Sequence, residues 1–165
     1  MRTLLLPLLL LFSCSLSAAE TLALQLKQLK IMHSLHALPA DAPPPDIEAL
    51  RSGPQLELRL PLYIAFAADG CFAGIYTDDT LDQLGFDCRS AREVWGLERL
   101  VGELRAGAAP EDFGLARDTA HVLVVAPSMV ARNCVACAAG AEAAGALPVV
   151  QAHAAQVSVV DLSLN

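Results

Sequence analysis

The chain has 165 residues, 55% of them apolar, and carries 18 acidic against 11 basic side chains for a net charge of -7. A surface this acidic is repelled by phosphate backbones and by anionic membranes, which argues against nucleic-acid binding. Lysine is nearly absent (Lys27, Lys30) while Arg and Ala are abundant, a bias of GC-rich genomes that, together with the export signal below, points to bacteria.

The first element is that signal. Arg2 and the amino terminus make a positive start, Leu4 to Phe12 form a short apolar run, and Ser17 and Ala19 stand at the -3 and -1 positions of a signal-peptidase site. The apolar run is far short of the ~20 residues that span a bilayer. Residues 1–19 are therefore read as a signal peptide cut before Glu20, and the protein as periplasmic or secreted. A second processing route exists, because Leu11-Phe12-Ser13-Cys14 loosely follows a lipoprotein motif, with Cys14 as the lipid anchor. Cutting after Ala19 leaves 146 residues, with the 11 basic side chains less Arg2 set against 18 acidic ones, or -8. That is one domain's worth of chain.

Residues 20–38 form an N-terminal strand or helix. Leu22, Leu24 and Leu26 alternate with Ala23, Gln25 and Lys27, slip phase at Gln28, and resume at Leu29 and Ile31. Period two favours a strand with a bulge, since on one helix these leucines fall on opposite sides. Residues 39–54 contain PADAPPPD and read as a Pro-rich linker, with Asp46 capping a short helical turn before Gly53. Residues 55–165 then read as a single α+β domain. Leu56, Leu58, Leu60, Leu62, Ile64 and Phe66 alternate as a strand, which Pro61 places at an edge or a bulge. Asp69-Gly70 supplies a type I′ hairpin turn into a second strand, Cys71–Thr77. Ser90-Ala91-Arg92-Glu93 has the form of a capping box. Val94, Leu97, Val101 and Leu104 follow at helical spacing, so the main amphipathic helix is expected at 91–106, capped by Gly107. His121–Ala126 reads as a buried strand, Ala138–Ala146 as a helix weakened by Gly140 and Gly145, and Val149–Ala154 and Val157–Leu164 as strands.

With Cys14 removed or lipidated, Cys71, Cys88, Cys134 and Cys137 remain. An even set in an oxidising compartment is read first as disulfides, and sequence proximity favours Cys71–Cys88 with Cys134–Cys137. Sixteen residues lie between Cys71 and Cys88, and a loop of that length stabilises the fold by roughly 3 kcal/mol when closed. The sharpest chemical feature is Cys134-Val135-Ala136-Cys137. At a helix start, unpaired N–H groups and the helix dipole favour the Cys134 thiolate, and Arg132 adds to this. That is a redox reading, with Cys134 as the attacking thiol and Cys137 as its partner. Against it stands chain order: a thioredoxin-type domain places its C-x-x-C early, whereas only 28 residues follow Cys137, and Pro148 comes too soon after the motif.

Other candidates carry less. Met32, His33 and His36 suit copper by residue type, yet on a strand the two histidines face opposite ways. Cys134, Cys137 and His153 would make a zinc or copper site only when reduced. Asp78, Asp79, Asp82 and Asp87 cluster without the glycine that an EF-hand loop requires. No hydrolase, zinc-protease or nucleotide motif is present, and nothing marks Ser128 as a nucleophile.

The sequence thus predicts an α+β fold with an antiparallel or mixed sheet of four to five strands and one main helix, pinned by two disulfides. The function it favours is a non-enzymatic envelope protein that binds or scaffolds a protein partner, needing no cofactor or metal. The alternatives are a thiol–disulfide oxidoreductase using Cys134 and Cys137, and a copper or zinc carrier.

Overall fold

A computed structural model describes residues 21–39, 42–52, 56–90, 94–127 and 134–163. The expected signal peptide at 1–19, with Cys14, and also Ser128 and Arg132, lie outside the described residues. The fold is α+β, built on a five-stranded mixed sheet.

The first segment contains two kinds of element. Strand β1 is only Ala23–Gln25, and helix α1 follows at once over Leu26–Ala37. The expected long strand is corrected here, and the phase slip at Gln28 gains a cause. Leu22 and Leu24 are buried at strand spacing, whereas Gln28, Met32 and Leu35 are buried at helical spacing. The Gln28 side chain accepts the Gln25 N–H at 3.0 Å, closing the start of the helix. Asp46 caps helix α2 (Ile47–Arg51) by accepting the Glu48 N–H at 3.0 Å.

Strand β2 is Leu62–Phe66 and β3 is Phe72–Tyr76. The expected strand from Leu56 shortens to begin after Pro61, and it is not an edge. Strand β2 pairs antiparallel with β3 on one side and with β4 (His121–Pro127) on the other. Pro61 precedes the first ladder position and so removes no bond from it. An irregularity does occur, but at Ala65/Phe66 against β3. The hairpin exists, though not with a type I′ turn. Asp69 keeps an ordinary negative φ, and only Gly70, at +84°, takes the left-handed region.

The helix expected at 91–106, α3, spans only Leu97–Leu104, and at 8 residues it is shorter than the 12-residue α1, so it is one of several helices and not the main one. Its N-cap is Gly96 rather than Ser90, because the segment before it is used otherwise. Bridges Phe72↔Ser90 and Cys71↔Gly96 place Ser90 and Gly96 beside the β3 end of the hairpin, and the Leu97 N–H donates to the Gly70 carbonyl at 2.8 Å. Backbone groups committed to a strand edge are not free for helical bonds. Helix α3 ends with Arg105 as its cap, and Gly107 takes φ +76° in the turn beyond. Helix α4 is Val135–Ala146. The expected strand at 149–154 is instead helix α5, Pro148–Ala152, with Pro148 at the first helical position, where its missing N–H costs nothing. Strand β5 is Gln156–Ser163.

The strand order is β1-β5-β4-β2-β3, with β1, β5 and β4 mutually parallel, β2 antiparallel to β4, and β3 antiparallel to β2. Both faces are covered. Leu62, Ile64, Phe66, Leu123 and Val125 face α1, α3 and the fully buried Trp95. Tyr63, Ala65, Val122 and Val124 face α4, α5 and the 3₁₀ turn Asp78–Gln83. Two buried faces explain why β4 reads as an unbroken apolar run.

Candidate functional site

The site grows from the β4–α4–β5 unit. The chain leaves the carboxyl end of β4 and enters α4, and returns through α5 to run parallel to β4. Cys134 is the N-cap of this 12-residue helix, and its sulfur accepts the Cys137 N–H at 3.0 Å. Cys134 and Cys137 form a disulfide with an S–S distance of 2.06 Å. The two sulfurs are not equivalent. Cys134 is half-buried, Val135 and Ala136 beside it are exposed (Val135 by 84%), and Cys137 is only 3% exposed. Of the pair, Cys134 is therefore the residue more open to solvent. After reduction, the helix-end N–H groups remain to stabilise a thiolate at Cys134.

Helix α4 is seated closely on the sheet by a glycine. Its buried face is Cys137, Gly140 and Ala144. A Cβ on Gly140 would lie 2.6 Å from the Tyr63 hydroxyl oxygen and 3.5 Å from Pro61 Cγ. Gly140, which the sequence presents as a weak point of the helix, is therefore where the helix bearing the cysteines meets the start of β2. Tyr63 is fully buried and donates its hydroxyl to Asp78 Oδ1 at 2.6 Å. Burial, and then the hydrogen bond to the Asp78 carboxylate, push the phenol well above its ordinary value. Neither Tyr63 nor Gly140 carries a recognisable motif. The available signal was a small residue three positions after the second cysteine, on the same helical face.

The second disulfide joins Cys71 to Cys88, whose Cα atoms are 5.7 Å apart. It ties the chain at Cys88 to the hairpin. Because β2 runs antiparallel to β4, this bridge lies at the opposite end of the sheet from Cys134.

The remaining candidates separate. Met32 is fully buried in the core, and His33 is exposed. His36 is engaged through Nδ1, which accepts the Ile75 N–H at 3.3 Å. His33 and His36 share a helix rather than a strand, so the expectation of opposite faces does not apply, but Met32 does not join them. His153 rests against the Phe86 ring and pairs with the Val149 carbonyl at 2.8 Å. Among the described residues, the donor atoms that converge are those of Asp69, Cys71 and Cys88, with neither His153 nor Cys134 among them. Asp78 serves Tyr63, and Asp79 faces Arg59 at 3.9 Å. No family model matches the chain, and neither the curated proteins nor the solved structures include a significant match. Among the described residues, no helix is long and apolar enough to cross a membrane.

Proposed function

We propose that the protein is an exported thiol–disulfide exchange protein of the bacterial envelope, with Cys134–Cys137 as its working pair. The observation that carries the reading is the asymmetry of that pair: a reachable sulfur at a helix N-terminus and a buried one, a turn away, to act as leaving and resolving group. Exchange proceeds in two balanced steps. An outside thiolate attacks Cys134 Sγ, the Cys134–Cys137 bond breaks, and Cys137 leaves as a thiolate. A second outside thiolate then attacks the mixed disulfide and releases Cys134. The protein gains two electrons, and the two thiols become a disulfide. Run backwards, the same steps reduce a substrate disulfide.

Strand β4, which leads toward the motif, has parallel β5 on one side and antiparallel β2 on the other. The chain order still differs from that of a thioredoxin-type domain, and the function rests on the cysteines and not on a fold analogy. The signal peptide, or the lipid anchor at Cys14, would deliver the protein to the oxidising compartment where such a pair works.

The test is to equilibrate the folded protein with glutathione buffers and read the Cys134–Cys137 potential by alkylation and mass spectrometry. An exchange protein gives a potential in the range of roughly -120 to -270 mV, with Cys134 alkylated faster than Cys137 at neutral pH. A value well below about -300 mV would mark a structural bridge and return the protein to the scaffold reading.

A further inference from the structure

The two disulfides sit in opposite electrostatic settings. Cys134 lies at the positive end of a helix. At the other end of the sheet, both carboxylate oxygens of Asp69 lie against Cys88 Sγ, at 4.0 and 3.9 Å. Neither disulfide sulfur carries a proton, so this is a contact between an anion and a sulfur and not a hydrogen bond. Asp69 is held there by its own backbone duty, since its Oδ1 accepts the Cys71 N–H at 3.0 Å. Of the two sulfurs, Cys71 is shielded by burial, with 1% of the residue exposed, and Cys88 is exposed. The neighbouring Arg89 guanidinium does not offset the carboxylate directly, because it donates to the His36 carbonyl at 3.2 Å.

We infer that Asp69 guards the Cys71–Cys88 bridge against thiolate attack and so confines exchange to Cys134–Cys137. The selectivity part of this inference rests on the proposed function; the guard itself does not. A thiolate attacking Cys88 must bring a negative charge beside Asp69 and expel Cys71 as a thiolate into an apolar pocket, where it is poorly solvated. Attack on Cys71 is blocked sterically, and would release the Cys88 thiolate against the same carboxylate. Attack on Cys134 meets N–H donors instead. A protein whose business is breaking disulfides thereby keeps its own structural bridge, against small thiols and against the Cys134 thiolate of another copy.

Asp69→Asn is a clean probe, because the amide oxygen retains the bond to the Cys71 N–H while the charge is lost. The native protein and the variant are treated with 2-mercaptoethanesulfonate, an anionic thiol, and with cysteamine, a cationic one. Cleavage of each bridge is followed by alkylation and mass spectrometry. Repulsion of one unit charge at this distance, screened by water, is worth about a fivefold change in rate. Asp69→Asn is therefore expected to speed cleavage of Cys71–Cys88 about fivefold with the sulfonate and less with cysteamine. The gain should shrink in 1 M salt, and the Cys134–Cys137 rate should be unchanged. An equal rise with both thiols at every salt concentration would mean a loosened hairpin and would overturn the guard, as would no rise at all. If the variant exposes Cys71–Cys88 as expected while Cys134–Cys137 resists both thiols, the guard stands and the exchange function fails.

Discussion

Gly140→Ala tests how α4 is seated. The added Cβ would lie 2.6 Å from the Tyr63 hydroxyl oxygen, about 0.8 Å inside the 3.4 Å at which ordinary contact begins. Tyr63 cannot swing clear: it lies in β2 between two paired strands, is fully buried, and is tied to Asp78. Overpacking of this kind costs about 1–3 kcal/mol, against which alanine's better helix propensity returns about 1 kcal/mol. The expected net loss is about 0–2 kcal/mol, centred near 1 kcal/mol and read as a lower urea midpoint. Tyr63→Phe supplies the control. Once the hydroxyl is removed, the nearest of those atoms are the ring Cζ at 3.4 Å and Pro61 Cγ at 3.5 Å, both tolerable. In the phenylalanine background Gly140→Ala should then be neutral or stabilising by up to about 1 kcal/mol. The double-mutant cycle should show a coupling of about 2 kcal/mol. If the two substitutions add within about 0.5 kcal/mol, the helix is not seated through this contact and the account of the site's scaffold is wrong.

Other outcomes follow from the same geometry. Replacing both Cys71 and Cys88 by alanine should lower unfolding stability by about 3 kcal/mol, whereas replacing Cys134 and Cys137 by serine should cost about half as much, since the loop closed is far shorter; equal losses would contradict this. Burial lowers the pKa of both His36 and His121 below the ordinary 6.5, and the Arg89 charge depresses His36 further. The unfolded chain therefore binds protons first, so stability present above about pH 6.5 should fall as the pH drops through and below it, by up to ~1.4 kcal/mol per pH unit for each histidine. Urea midpoints between pH 7.5 and 5 check this, and His121→Gln should flatten the slope. Gln28→Ala should cost about 1 kcal/mol by leaving the Gln25 N–H without its acceptor, with loss of α1 helicity in circular dichroism as the accompanying sign.

Much of the fold was legible wherever one short segment makes one element. The run His121–Ala126 is apolar at every position after the histidine and became β4. The alternation at Leu62, Ile64 and Phe66 became the paired half of a longer apolar stretch. Legibility failed where tertiary partners redirect the backbone. Ser90 carries a good capping pattern, but Ser90 is bridged to Phe72 and Gly96 to Cys71, and the helix begins at Leu97. Val149 and Val150 look strand-like, yet Pro148 and the return toward β5 make them helical. In the first segment, strand and helix follow each other with no turn between them, so neither periodicity runs long enough to declare itself.

The C-x-x-C itself, its place at the start of a helix, and the pairing of all four described cysteines were legible from local spacing. None of these needed the sheet. What surrounds the cysteines needed it entirely. The sequence order of strands places the hairpin before the motif and argues against an exchange site. The spatial order places that hairpin beside β4, because strands pair by face and edge and not by their turn in the chain. The same folding carries Asp69 to Cys88 across 19 positions and Tyr63 beneath Gly140, contacts between residues that share no motif and meet only when two layers close on a sheet.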